Sequence, residues 1–302
     1  MDDGSSFRSG FVGIIGRPNV GKSTLLNRIA GRKVAITSEK PQTTRNKIRA
    51  IVTKENAQLV FVDTPGFHKP KNALGERLNH MVRSTMEDVD VITFVLDAAQ
   101  TIGRGDVFIA RELEKVETPV IGVLNKVDLL ESEMIESQVE VAKHLLNFAD
   151  VLPVSATLGY NLEILLSRLS EFLPEGPKYF DPDIITDQPE KLLVGELIRE
   201  KALELTREEV PHSIAVIVEE MNPREDGELI DISAKIYVER DSQKGIIIGR
   251  GGRMIREIGT RARKEIEPLL GSKVFLDLRV KVEKDWSKNP SFLRRLEEQQ
   301  GG

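Results

Sequence analysis

At 302 residues the chain is long enough for two domains, and its 40% hydrophobic content is that of an ordinary globular protein. No apolar run approaches the ~18 residues that span a bilayer, and Met1-Asp2-Asp3-Gly4-Ser5 lacks the basic and apolar regions of a signal peptide, so neither a membrane-spanning nor a secreted protein is expected. The absence of cysteine rules out disulfides and thiolate metal sites, and a formal net charge of −5 gives no global attraction to nucleic acid, so any such site must be local.

The first predicted element is a strand, Phe11-Val12-Gly13-Ile14-Ile15. It runs into Gly16-Arg17-Pro18-Asn19-Val20-Gly21-Lys22-Ser23, which meets every fixed position of the phosphate-binding pattern G-x-x-x-x-G-K-[ST]. A helical pattern, Thr24-Leu25-Leu26-Asn27-Arg28-Ile29-Ala30 closed by Gly31, follows at once. In this order the backbone N–H groups of residues 17–24 form a concave nest at a helix N-terminus, where partial positive charge favours phosphate. Gly21, Lys22, Ser23 and Thr24 are therefore assigned to the phosphates of a nucleoside triphosphate. Lys22 reaches the β- and γ-phosphates, and the Ser23 hydroxyl binds Mg²⁺.

A polar stretch, Pro41-Gln42-Thr43-Thr44-Arg45, precedes the predicted strand Gln58-Leu59-Val60-Phe61-Val62, which ends in Asp63-Thr64-Pro65-Gly66, a D-x-x-G match. Asp63 is expected to hold the Mg²⁺ shell through water and the Gly66 N–H to sense the γ-phosphate, while a threonine of the polar stretch completes the shell when triphosphate is bound. Thr44 is favoured over Thr43 by likeness to related GTPases. After D-x-x-G stands Phe67, where Ras-like proteins have a glutamine that orients the attacking water. A phenyl ring neither donates nor accepts as glutamine does, so either another group positions the water or turnover is slow. His68 is adjacent, but in a Lys- and Pro-rich loop a histidine is more often solvated than catalytic.

The apolar run Val120–Leu124 leads into Asn125-Lys126-Val127-Asp128, and Val151-Leu152-Pro153-Val154 leads into Ser155-Ala156-Thr157. At the carboxyl end of a parallel strand, Asp128 can accept both N1–H and N2–H₂ of guanine, whereas adenine presents an acceptor at N1. The N-K-x-D match is weak alone and gains weight from the second loop, which resembles the S-A-x loop that touches guanine O6 in GTPases. Asn125, Lys126, Asp128, Ser155 and Ala156 are thus the expected guanine site, with GTP or GDP as ligand. Asn19 resembles a K⁺ ligand of related GTPases, which predicts K⁺-stimulated hydrolysis.

The alternation of helix and strand stops after Phe172, and Leu173–Pro182 with Pro189 reads as an extended linker. The expected organisation is a G domain over 1–175, a linker over 176–190, a second domain over 191–285 and a tail over 286–302. The second domain reads as a helix (about 191–209), strands (213–221 and 229–240), a helix pair (244–267) and a strand (273–283). Between the paired helices, Ile247-Ile248-Gly249-Arg250-Gly251-Gly252 fits the G-x-x-G loop of KH domains, whose small residues let a nucleic-acid backbone approach closely. Residues 244–264 carry Lys244, Arg250, Arg253, Arg256, Arg261, Arg263 and Lys264 against Glu257 alone, a basic patch that favours phosphate contacts. Lys244, Ile248, Gly249, Arg250, Gly251, Gly252, Arg253 and Arg256 are the expected RNA-binding residues, with single-stranded RNA as partner. The tail contains Phe292, Leu293 and Leu296 beside Arg294 and Arg295, a short helix that either packs on the second domain or touches RNA, with packing favoured.

Over essentially residues 8–285 these motifs, in this order, resemble the Era-type bacterial GTPases. The fold implied is α/β, a P-loop GTPase domain with a mainly parallel sheet, followed by an α+β type II KH domain. The resemblance implies GTP hydrolysis with Mg²⁺, assisted by Lys22, Thr44 and Gly66. It also implies binding to the 3′ end of small-subunit (16S) ribosomal RNA, favoured by GTP, in maturation of the 30S subunit. A cytoplasmic protein with peripheral association at the inner face of the cell membrane is implied too, although the sequence shows no amphipathic anchor. Two other readings compete: a nucleotide-sensing binding module with negligible turnover, to which Phe67 lends standing, and a membrane-associated signalling GTPase.

Overall fold

Three strands, β3 (Ala57–Asp63), β4 (Val91–Asp97) and β5 (Val120–Asn125), are buried at every residue, as a parallel sheet covered on both faces requires. The computed structural model describes residues 6–38, 40, 43–67, 73–207, 210–225 and 229–298, and they divide into two compact units. The first unit holds a six-stranded sheet that also contains β1 (Arg8–Gly16), β2 (Ile48–Thr53) and β6 (Asp150–Pro153), in the order β2-β3-β1-β4-β5-β6. Only β2 runs antiparallel to its neighbour in this sheet.

The two-residue period of β1 sends Val12 and Ile14 to one face and Ile15 to the other. Val12 and Ile14 meet Leu25 and Leu26 of α1 (Lys22–Ala30) and Leu165, Leu166 and Leu169 of α5 (Leu162–Glu171). Ile15 belongs to the core beneath α2 (Ala73–Asp88), α3 (Arg104–Leu113) and α4 (Ser132–Lys143), which supply Val82, Met86, Ile109, Leu113 and Ala142. Each such side chain withdrawn from water contributes about 1.5–3 kcal/mol. Because β1 has β3 on one side and β4 on the other, the crevice at its carboxyl end is the topological switch point where α/β sheets bind ligands.

The stretch expected as a linker is extended, but as far as Asp187 it is fastened to this first unit. Gly176 N donates to Phe7 O at 3.0 Å and Ser9 Oγ to Pro177 O at 2.6 Å. Gln58, fully buried, accepts from Tyr179 N (2.7 Å) and Phe180 N (3.0 Å) and donates to Phe180 O (2.9 Å). Farther on, Ile51 N donates to Ile185 O at 2.7 Å and Arg49 pairs with Asp187 at 2.7 Å. The segment crosses the amino ends of β1 and β3 and then runs beside β2.

The second unit, Gln188 onwards together with 38–43 and 72–74, follows an α-β-β-α-α-β order. Its elements are α6 (Glu190–Leu205), β7 (Ala215–Pro223), β8 (Leu229–Val238), α7 (Asp241–Ile248), α8 (Arg253–Leu270) and β9 (Lys273–Val282), with sheet order β7-β8-β9. β7 and β8 are antiparallel, whereas β8 and β9 are parallel, leaving β9 an edge strand. Lys201 of α6 meets Glu204 at 2.8 Å and Glu265 of α8 at 2.5 Å. Burial works against its charge, but the surrounding carboxylates outweigh that and hold the ammonium well above the usual lysine range. A last helix, α9 (Pro290–Glu298), packs as expected of the tail: Phe292 lies between Tyr237 (ring centroids 4.9 Å apart) and Trp286 (5.7 Å). The buried Trp286 indole donates to Ser213 O at 2.7 Å.

Gln58→Ala should strand the Tyr179 and Phe180 amides. The expected loss of stability is about 3 kcal/mol by denaturant unfolding, with faster amide exchange at those two residues.

Candidate nucleotide site and nucleic-acid groove

The loop after β1 turns through two left-handed residues, Asn19 (φ 66°) and Gly21 (φ 99°). Glycine is required at 21 for a second reason, since a methyl group there would collide with the Asn125 side-chain amide. Lys22, 6% exposed, donates from Nζ to Gly16 O at 3.0 Å and Arg17 O at 2.8 Å, which holds its ammonium over the loop. Burial lowers it to about 8, against the pull of the Asp63 carboxylate. Thr24 lies in the first turn of α1.

Asp63, fully buried at the carboxyl end of β3, accepts at Oδ2 from Ser23 Oγ (2.9 Å) and Thr44 Oγ1 (3.2 Å), and the two hydroxyls are 3.0 Å apart. Its other oxygen, Oδ1, is buried without a hydrogen-bond partner. Burial raises its carboxyl above the usual range, against the opposing effect of Lys22. Two hydroxyls and a carboxylate with an unmatched oxygen are a hard donor set of the kind Mg²⁺ takes, so Ser23, Thr44 and Asp63 fit that ion. Thr43 is turned elsewhere, donating from Oγ1 to Lys40 O at 2.6 Å.

Gly66 presses on Pro18 so closely that a Cβ would collide with its backbone, and Phe67 N donates to Gly16 O at 3.2 Å. These contacts tie the D-x-x-G loop to the phosphate loop. The Phe67 ring is 1% exposed, tilted against Phe108 at 5.3 Å with the Arg83 guanidinium 5.5 Å above it. It serves the core, not a water molecule. His68 lies outside the described residues.

On the guanine side, Asn125 Nδ2 donates to Val20 O at 2.9 Å and its Oδ1 accepts from Ala156 N at 3.0 Å, joining phosphate loop, N-K-x-D and S-A-x loop through one side chain. Ser155 is buried and its Oγ accepts from Leu158 N at 3.1 Å. Lys126, left-handed at φ 70°, donates to Asn19 O (2.9 Å) and Asp97 Oδ2 (2.7 Å). Asp128 is exposed. Sequence reasoning missed Asp97, although it closes the apolar run of β4 as Asp63 closes that of β3. It also missed Arg17, whose Nε meets the buried Asp106 carboxylate at 2.7 Å and anchors the phosphate loop to α3.

In the second unit, Gly249 (φ 72°), Gly251 (φ 60°) and Gly252 (φ 75°) make the turn between α7 and α8, a backbone that L side chains rarely adopt. Arg250, Arg253 and Arg256 are exposed around it, while Lys244 and Ile248 are half-buried. Beside the loop an open groove of about 450 Å³ runs between α8 and the edge strand. Gly252, Ile255, Arg256, Gly259 and Arg263 form one wall and Phe275–Leu278 the other. The β9 wall was not read from sequence. Its membership depends on which strand ends the sheet.

A family model described as a 50S ribosome-binding GTPase matches residues 11–126, and one described as a KH domain matches residues 209–287. GTPase Era of Caldanaerobacter subterraneus is 53% identical over 291 residues, covering 96% of this chain and 98% of that protein. The chain belongs to the Era GTPase family. Crystal structures of Aquifex aeolicus Era bound to GDP and AlF4⁻, and of Era in complex with MgGDPNP and nucleotides 1506–1542 of 16S ribosomal RNA, both match with a TM-score of 0.92 and 40% identity. Each covers 95% of this chain and 98% of the other. The fold is accordingly that of Era, a P-loop GTPase domain with a mostly parallel sheet and a C-terminal KH domain.

Within this Era-family site, Thr44→Ala should lower hydrolysis about tenfold and raise the Mg²⁺ concentration it needs. Thr43→Ala should leave both near wild type, as a Mg²⁺ titration of phosphate release would show.

Proposed function

We propose that this chain is a GTP-hydrolysing switch that binds the 3′ end of small-subunit ribosomal RNA and assists maturation of the small ribosomal subunit. The observation that carries the reading is the convergence of Ser23, Thr44 and the half-satisfied Asp63 beside Lys22, in a chain that also holds a glycine-turn groove for nucleic acid. The Era complex with MgGDPNP and 16S ribosomal RNA nucleotides supports both halves.

Lys22 places its ammonium on the β- and γ-phosphates, the nest N–H groups orient them, and exposed Asp128 accepts from guanine. A bound Mg²⁺ would neutralise charge on the phosphate oxygens. Thr44 links the ion's shell to the loop it sits in, so that loop is ordered by triphosphate and released on hydrolysis. With the Phe67 ring in the core, the attacking water is positioned by another group. Asn19, exposed at the left-handed apex of the loop, is the K⁺ ligand of this reading, which makes turnover faster in K⁺ than in Na⁺.

In the KH unit the RNA backbone lies on Gly249–Gly252, with Arg250, Arg253 and Arg256 on its phosphates. Bases enter the groove against β9, whose outer backbone edge has no strand beside it. Among the described residues no helix is long and apolar enough to cross a membrane. Cytoplasmic residence with peripheral contact at the inner membrane face rests on the family resemblance. The terminal helix buries Phe292 and Leu293, so they are not offered to lipid.

The test is affinity for a 3′-terminal small-subunit rRNA fragment against a scrambled control at fixed salt. Selective binding that tightens when a non-hydrolysable GTP analogue replaces GDP is expected. Equal affinity for both RNAs would refute the rRNA reading. A second expectation concerns pH. Lys22 in the free protein releases its proton at about 8, below its ordinary 10.5, and phosphate binds the ammonium form. Affinity should therefore be flat below pH 7 and fall about tenfold by pH 9, because binding must then take up a proton. Titration of GDP affinity across that range measures it, and a flat profile would show that the Lys22 ammonium keeps its proton in the free protein up to pH 9.

A further inference from the structure

Arg199 of α6 is 2% exposed, a guanidinium taken out of water on the first helix of the second unit. Its fork closes on a residue one turn back: Nε donates to Glu196 Oε1 at 3.1 Å and Nη2 to Glu196 Oε2 at 2.5 Å, and both side chains are buried. Nη2 also donates to the main-chain carbonyl of Thr43, one of the residues 38–43 that belong to the same unit as α6. Nη1 is buried without a hydrogen-bond partner among the described residues. By itself such an arrangement is unfavourable. The attraction within a buried ion pair offsets its desolvation poorly, and apolar side chains of the same volume would hold a helix in a core as well or better. What the arginine provides that an apolar residue could not is the bond to Thr43.

That carbonyl is one end of a rigid plane. The peptide group that carries Thr43 O also carries the nitrogen of Thr44, so fixing the oxygen fixes the direction in which the chain enters Thr44. Beyond the plane, Thr44 Oγ1 lies 3.0 Å from Ser23 Oγ and 3.2 Å from Asp63 Oδ2, whereas before it the Thr43 hydroxyl turns back to Lys40 O at 2.6 Å. We infer that Arg199 is a positioning residue for GTP hydrolysis: by holding the Thr43 carbonyl it sets the peptide that presents the Thr44 hydroxyl to Asp63 and the Mg²⁺ shell, and Glu196 aims the guanidinium. Arg199 acts only through the main chain, so the Thr43 side chain is dispensable while its carbonyl is not. The assignment rests on the reading of Thr44 as a Mg²⁺ ligand.

Removing Arg199 alone would strand the buried Glu196 carboxylate, so the test replaces both in the full chain, Glu196→Leu together with Arg199→Met. Melting temperature and GDP affinity should be no lower than in wild type. Phosphate release at saturating GTP should fall about fivefold, and the Mg²⁺ concentration it needs should rise, because a misplaced hydroxyl no longer completes the shell. Arg199→Lys, which keeps the charge but replaces the fork by a point donor, should fall between that variant and wild type. In a Thr44→Ala background the same changes should cost nothing more, since the group that Arg199 positions is already gone. If the paired variant melts lower or loses GDP, Arg199→Lys in both backgrounds carries the same comparison. Wild-type hydrolysis at a wild-type Mg²⁺ requirement would overturn the inference. A loss that persists in full on top of Thr44→Ala would overturn it too, because Arg199 would then act by another route. If Thr44→Ala itself hydrolyses like wild type, the Thr44 reading falls and the inference with it.

Discussion

A lysine and an aspartate buried together at the carboxyl end of a parallel sheet are the constraint around which the first unit is arranged. Neither Lys22 nor Asp63 is comfortable there: burial lowers the lysine and raises the aspartate, and each partly relieves the other. What holds them in place is the rigid frame beneath. β1 and β3 are adjacent and parallel; Asp63 ends β3, and Lys22 is bonded through Nζ to the carbonyl of Gly16, which ends β1. Two opposite charges buried near each other without a direct bond are weak evidence for stability and better evidence for a charged ligand, because phosphate and a divalent cation supply what the two side chains lack.

The loops around this pair are fitted to one another by close approach more than by strong bonds. Gly21 leaves room for Asn125, Gly66 for Pro18, and Asn125 reaches from one loop to the other two. A shift in the D-x-x-G loop must therefore disturb the phosphate loop it touches. The buried ring of Phe67 adds a hydrophobic pin directly after Gly66, the glycine proposed to sense the γ-phosphate. Ras-like enzymes place a catalytic amide at that position, whereas in this chain the place has been given to packing.

The second unit solves a different problem, keeping a basic loop rigid enough to bind a polymer. Three left-handed glycines set the turn, and Lys201 locks α6 to α8 through carboxylates on both. The outer face of the sheet is only partly covered, by α9 at the Tyr237 end. The tail's apolar residues are thereby spent on packing, while Phe275 remains in water.

Local pattern was enough to locate the phosphate loop, D-x-x-G, N-K-x-D and the glycine turn, because each is a short run whose backbone geometry and chemistry are set by its own residues. The α-β-β-α-α-β order was legible for the same reason: periodicity and glycine punctuation are local properties. Four features were not legible. Asp97 and Arg17 act through partners 29 and 89 residues away. The stretch after Leu173 carries the composition of a free linker, yet Gln58 binds it to the sheet. The groove wall on β9 exists because that strand is the edge, which follows from pairing and not from its residues. Sequence by itself determined which groups can meet phosphate, guanine and RNA. Tertiary structure alone decided which threonine faces Asp63 and which aromatic stays exposed, because those outcomes depend on long-range strand order and on side chains competing for the same buried space.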